Sequence, residues 1–272
     1  MNKLLCAILL LALTATHAPA QKGINGVIKA EKDFAAYAIE HNTKEAFLHF
    51  LDSANGLVFN DGKTSNAYTT WSGAGANTNK LIWEPAFAGV SNGGDLGFTT
   101  GPWQLKHSLQ DASLANGQYT TIWHLNEKGE WKFLVDIGIT FNDAAYAVDS
   151  VRKWGNDSAA SIDGTDAIDI DKAFITQYQT MHNDAFTGVL LDDSWFNIQG
   201  QRPITGKENI INALSQTDPG MQFIPMGGGI ASSNDLAYVY GIVRAGEKQE
   251  NYLRIWQKTR SGNKLLLQVL KL

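Results

Sequence analysis

The sequence predicts an α+β protein made of two tandem copies of one unit, each a curved antiparallel sheet packed on N-terminal helices. Three observations carry this. First, "LIWEPAFAGVSNGGDLGFTTGPW" (81–103) lies over "MQFIPMGGGIASSNDLAYVYGIV" (221–243) at a constant offset of 140 with no gap. Pro85 meets Pro225, Asp95-Leu96 meets Asp235-Leu236, Phe98 meets Tyr238, and Gly101 meets Gly241. Second, "QYTTIWHLNEKGEWKFLVDI" (118–137) falls over "NYLRIWQKTRSGNKLLLQVL" (251–270) at an offset of 133, which sets Lys264, Leu265 and Val269 against Trp131, Lys132 and Asp136. A self-match this long means a duplicated domain and not a solenoid of short units. Third, helical periodicity comes first in each copy and strand-like runs follow.

The elements follow in order. Val27, Ala30, Phe34, Ala38 and His41 recur at three- and four-residue steps, as do Ile170, Phe174, Tyr178 and Met181, so each copy opens with an amphipathic helix. Asn42 and Glu45 have capping-box spacing and start a second, short helix. "GLVFN" (56–60) and "SWFNI" (194–198) read as strands. Longer strands are expected over 81–90, 95–105, 118–125 and 131–137, with Gly129 in a hairpin turn that needs positive φ. Residues 142–154, "NDAAYAVDSVRKW", could form a short helix with Ala144, Val148, Val151 and Trp154 inward. The run 155–166 has a linker's composition. The division is therefore 24–142, a linker over 143–165, and 166–272.

"GDLGFTTGPW" (94–103) carries three glycines, although glycine costs a strand roughly 0.5–1 kcal/mol relative to alanine. Gly97 and Gly101 share one face, and Ala237 and Gly241 repeat the small pair in the second copy. Small side chains there suit a sharp bend that leaves a hollow. Phe98, Tyr238 and Tyr240 pack the opposite face.

These lines, with "EKDFAAYAIEHNTKEAFLHFL", resemble the branch of the nuclear-transport-factor-2-like superfamily called domain of unknown function 4440, relatives of the SnoaL-like polyketide cyclases. The resemblance covers residues 26–140 well and the second copy more loosely; "ITGKENIINAL" (204–214) looks like the superfamily's glycine-then-helix segment. It implies two tandem cone-like domains, each with an apolar pocket that in relatives serves isomerases, cyclases, dehydratases or ligand binding. Fold alone does not choose among these.

Residues 1–20 read as a secretory signal, with Lys3, an apolar run over 4–15 and "APA" (18–20), cut after Ala20. The expected location is secreted or periplasmic. The sole cysteine, Cys6, falls inside it, so the mature chain has neither disulfide nor thiol chemistry. Loss of Lys3 takes the formal charge from −5 to −6. An acidic chain without basic clusters argues against nucleic acid or an anionic membrane as partner. Nothing calls for a cofactor.

Candidate sites are few. Asp136, in an apolar hollow, could act as a base with Tyr119 or His124. Alternation that turns Trp131, Phe133, Val135 and Ile137 to the helices sends Asp136 the other way. His107 and His124 could pair, but no third metal ligand stands at a telling distance. His41 and His182 match across the copies at helix ends. "GVSNG" (89–93) has nucleophile-elbow form, yet strand runs into strand there and Ala231 replaces Ser91. Trp83, Trp103, Trp123, Tyr238, Tyr240, Arg244, Tyr252 and Trp256 are the candidate pocket lining. Arg244 and Arg254, beside Tyr238 and Tyr252, could hold an anionic ligand, against the commoner reading of a salt-bridged or solvated arginine. The leading function is binding of a small apolar or amphipathic molecule; the rivals are an isomerase or cyclase using Asp136, and an interaction module whose open sheet faces pair with each other or with a second chain as a homodimer.

Overall fold

A computed structural model describes residues 22–75, 77–155 and 166–272; the expected signal segment and residues 156–165 of the expected linker lie outside these. The first half runs α1 (Ile24–Glu40), α2 (Thr43–Phe50), β1 (Leu57–Asn60), β2 (Lys63–Asn66), α3 (Ala67–Gly73), β3 (Lys80–Trp83), β4 (Phe87–Val90), β5 (Leu96–Lys106), β6 (Ala115–Leu125), β7 (Trp131–Phe141) and β8 (Arg152–Trp154). The second runs α4 (Ala167–Met181), a 3₁₀ turn over His182–Asp184, α5 (Ala185–Val189), β9 (Leu190–Ile198), β10 (Ile204–Thr205), α6 (Lys207–Leu214), β11 (Gln222–Ile230), β12 (Leu236–Ala245), β13 (Lys248–Thr259) and β14 (Gly262–Leu270).

The two halves repeat one topology. The first sheet is ordered β2-β1-β7-β6-β5-β4-β8 and the second β10-β9-β14-β13-β12-β11. Each is mixed and not purely antiparallel, because the last meander strand pairs parallel with the opening strand: β7 with β1, and β14 with β9. Asn42 caps α2 as its spacing predicts, accepting from Glu45 N at 2.9 Å. Gly129 turns the β6–β7 hairpin at φ 75°. The helix expected over 142–154 does not form. The chain there reaches the far edge of the sheet, where β8 pairs parallel with β4 and buries Trp154 beside Phe98.

The glycines explain the curvature. The expected strand 81–90 is broken: β3 and β4 both pair with β5, and residues 84–86 cross the bend opposite Gly101. A Cβ on Gly101 would sit 1.9 Å from the Glu84 carbonyl oxygen, and one on Gly241 would sit 2.2 Å from that of Ile224. Backbone cannot yield as a side chain can. Gly101→Ala is expected to cost about 1–3 kcal/mol in urea unfolding, as overpacking does; a neutral result would remove the steric account of the bend.

A β-bulge decides which residues face the helices. Between Ile122 and Trp123 the β6–β7 register skips Leu134. Trp131 and Phe133 join the helix-side core with Phe34 and Phe47, whereas Val135, Ile137 and Ile139 turn away from it. Simple alternation is thus wrong beyond the bulge, and Asp136 lies on the helix side. The β13–β14 pair repeats the bulge at Ile255/Trp256. Its register pairs Arg254 with Gln268 as β6–β7 pairs Thr121 with Asp136. The counterpart of Asp136 is therefore Gln268 and not Val269, because the second hairpin is one residue shorter. Lys132 answers to Lys264: each donates to a carbonyl near the C-terminal end of the second helix, His49 O and Gly188 O, at 2.7 Å.

The faces turned away from the helices pack against each other. Phe87, Phe98, Val135 and Ile137 form one core with Trp195, Tyr238, Leu253 and Leu267. Phe87 stacks on Trp195 at 5.3 Å. At the edge the contact is reciprocal: Asp95 accepts from Ser232 N at 2.9 Å and Asp235 from Asn92 N at 3.0 Å. With the offset of 140 these are equivalent bonds, so the halves meet about a pseudo-twofold axis. "GVSNG" is the hairpin turn in this contact and no helix follows it.

Candidate functional site

The first half has an open cavity of about 320 Å³ between its helices and the concave side of its sheet. Phe34 and Phe47 enter from the helices, Leu81 and Trp83 from β3, Trp103 and Leu105 from β5, Tyr119 from β6, and Asp136 with Gly138 from β7. The lining is apolar apart from the Asp136 carboxyl, the Tyr119 hydroxyl and the indole N–H groups of Trp83 and Trp103. Trp103 Nε1 is spent on Ile139 O at 3.2 Å.

Asp136 borders the cavity and accepts from Thr121 Oγ1 at 2.7 Å. Burial pushes its pKa up to about 6, with the Thr121 bond working against that. Tyr119 is 5% exposed, and its hydroxyl has no hydrogen-bond partner among the described residues. Burial and then the charges of Glu31 and Asp136 raise its pKa well above the ordinary tyrosine value.

Behind Trp83 lies a carboxyl that sequence reasoning missed. Glu31 projects from the apolar stripe of α1, between Val27 and Phe34, and is fully buried. It accepts from Trp83 Nε1 at 2.5 Å, from Trp123 Nε1 at 3.0 Å, and from the Thr99 hydroxyl. Burial outweighs those three bonds and lifts its pKa to about 7. A signal was present: at the offset of 140 Glu31 meets Asp171, an acid on the same stripe of the second helix.

The second half holds the same framework with a different content. Asp171 is fully buried and accepts from Trp256 Nε1 at 3.1 Å and Tyr252 OH at 2.6 Å, the counterparts of Trp123 and Tyr119. Between it and Gln268 lies the guanidinium of Arg254, also fully buried, with Nη1 3.0 Å from Asp171 Oδ1 and Nε 2.7 Å from Gln268 Oε1. The guanidinium carbon stands 4.6 Å from the Phe174 ring centre, 4.0 Å from Phe223 and 4.7 Å from Tyr252. Thr121 is the residue at this position in the first half.

The sequence candidates separate accordingly. Trp83, Trp103, Tyr119 and Asp136 come together at the first cavity. Trp123 is buried behind it on Glu31. His124 is elsewhere: alternation along β6 turns it to the face opposite Tyr119, Thr121 and Trp123, where its Nε2 meets Asp52 Oδ2 at 2.8 Å. His107 meets Asn79 at 2.9 Å, so the two histidines make no pair. No cluster of three metal-ligating side chains occurs among the described residues. Tyr238 and Tyr240 lie between the sheets, Tyr240 against Phe59, since they share the face of Phe98. Arg244 is exposed and pairs with Gln249 at 2.8 Å. Tyr252 and Trp256 belong to the sealed second framework. His41 and His182 stand at the C-caps of α1 and α4.

No protein-family model matches the sequence. No curated protein matches it significantly. Solved structures do resemble part of the chain. A nuclear-transport-factor-2-like protein from Cytophaga hutchinsonii is 21% identical, covering 38% of this chain and 93% of its own at a TM-score of 0.31. Nuclear transport factor 2 from Cryptosporidium parvum is 19% identical over 38% of this chain and 92% of its own, at 0.31. A ketosteroid isomerase-like protein from Erwinia carotovora atroseptica is 16% identical over 37% and 92%, at 0.31.

Proposed function

We propose that the protein binds a small apolar or amphipathic molecule in the cavity of its first half, and that the second half is a scaffold. One observation carries this reading. Two copies of one framework stand in one chain; the first has an open apolar cavity with a carboxyl and an unpartnered hydroxyl on its wall, and the second has filled the equivalent place with its own arginine. An apolar recess with a few convergent polar groups is the usual form of a small-molecule site. The sheet faces that an interaction module would offer are packed on each other within the chain. The segment 1–20 supports export, and the lines quoted above support kinship with the domain-of-unknown-function-4440 branch in two units over 24–142 and 166–272.

The test is native mass spectrometry of protein purified from its own host, paired with the variant Gly138→Leu. Leu270 occupies the equivalent position, and a Cβ on Gly138 meets nothing nearer than Trp103 Nε1 at 3.5 Å, so the backbone accepts it. A retained molecule, absent from Gly138→Leu, is the expected result. Retention unchanged by the variant would contradict the reading.

The unpartnered Tyr119 hydroxyl beside Asp136 favours a second reading. Asp136, ionised at neutral pH, would take a proton from carbon next to a substrate carbonyl, while Tyr119 donates a hydrogen bond to the oxygen that gains the charge; return of the proton at another carbon completes an isomerisation. Proton exchange from solvent deuterium into a bound ketone, lost in Asp136→Asn, would support it.

A further inference from the structure

We propose that the first cavity takes an organic cation, an ammonium or guanidinium head on a compact apolar body. This rests on the reading that the cavity binds a small molecule, and it names that molecule's class.

The duplication supplies the argument. Arg254 shows what the framework does with a positive charge. Its guanidinium touches Phe174, Phe223, Tyr252 and Gln268 and pairs with Asp171. The counterparts of the first four, Phe34, Trp83, Tyr119 and Asp136, all line the first cavity, and the counterpart of Asp171 is Glu31. The first cavity is therefore the space that a guanidinium fills in the second half. There the position of Arg254 is Thr121, whose short side chain bonds Asp136 and leaves the space open.

The charge balance points the same way. The second framework holds one acid and one cation. The first holds two acids, Glu31 and Asp136, and none of the residues lining its cavity is a lysine or arginine. Asp136 replaces the neutral Gln268, so the open site is more acidic than the filled one. Trp83 in place of Phe223 gives the better ring for a cation. An anionic head would meet the Asp136 carboxyl on the wall, with Glu31 behind Trp83, at low dielectric and without a donor to pair with, apart from the Tyr119 hydroxyl.

Calorimetry with four probes of one shape tests this: 2-phenylethylguanidinium, 2-phenylethylammonium, 2-phenylethanol and phenylacetate, against the full chain at pH 8. The cations are expected to bind at least tenfold more tightly than the alcohol, with phenylacetate weakest, and the preference should collapse in Asp136→Asn. Thr121→Arg, which brings the second half's own cation, should abolish binding of all four and raise the melting temperature. Alcohol or carboxylate binding as tightly as the cations overturns the charge assignment and leaves the pocket reading standing. No binding by any probe overturns both.

Discussion

Arg254→Met is expected to destabilise the protein by about 3–5 kcal/mol, the range for breaking one partner out of a buried ion pair. Arg254 and Asp171 are both fully buried. Without the guanidinium, Asp171 keeps, among the described residues, only the Tyr252 hydroxyl and the Trp256 indole as side-chain donors, at 2.6 and 3.1 Å. Its charge would be uncompensated, and the rings of Phe174, Phe223 and Tyr252 would lose the flat group between them. The pair is not itself a source of stability, since an apolar replacement of both partners can be neutral or better. The double variant Asp171→Leu/Arg254→Met should therefore recover most of the loss. Urea unfolding of the singles and the double measures this. A loss below about 1 kcal/mol for Arg254→Met would mean that the second framework is not held by its arginine.

The second large effect is a pH dependence of the opposite sign to ordinary acid denaturation. Glu31 has its pKa raised from 4.5 to about 7, and Asp136 from 3.8 to about 6. A raised carboxyl pKa means the folded state holds the proton more tightly. Its stabilising contribution is whole below the unfolded pKa and disappears as pH rises through the folded one. For Glu31 the difference between pH 4.5 and pH above 7 is on the order of 3 kcal/mol. Protonated Glu31 can donate to the Thr99 hydroxyl, which then reverses its own bond. Glu31→Gln removes this dependence. It also turns an amide donor toward one of the two indole N–H groups, Trp83 or Trp123, which bond different oxygens of Glu31, a cost of about 1–3 kcal/mol independent of pH. The slope of stability against pH from 5 to 8, and not its level, is the readout. Asp52 and Asp95, both held below the ordinary aspartate pKa, act beneath this window. His49, lowered from 6.5 chiefly by burial, acts within it but equally in both proteins. Wild type should lose stability from pH 5 to 8 relative to Glu31→Gln; parallel curves would contradict the raised pKa.

Much of the fold was legible because duplication and turn chemistry are local. The 140-residue offset located both sheets, Asn42 and Glu45 capped α2, and Gly101 and Gly241 marked the bend where backbone meets backbone. The site was less legible for identifiable reasons. A bulge changes strand parity without changing composition, so Asp136 was turned to the wrong face and matched to Val269 instead of Gln268. Tyr238 and Tyr240 are bulky and amphipathic, as pocket residues are, but only the packing of one sheet on the other assigns them to a core. Glu31 was invisible because one acid within an apolar helical stripe looks like register noise until its partners Trp83, Trp123 and Thr99, distant in sequence, are brought around it. Arg254 carried the same ambiguity, since burial of a cation depends on an acid 83 residues away.

The central claim is an asymmetry: one framework open, its duplicate closed by its own side chain. Diffraction from crystals under xenon pressure reads it without knowledge of any ligand, because xenon enters apolar cavities that are empty. A xenon peak is expected in a site bounded by Phe34, Trp83, Tyr119 and Gly138, none among Phe174, Phe223 and Tyr252, and a second peak at that place only in Arg254→Ala. Xenon among the second set in the wild-type protein, or none in the first, would contradict it.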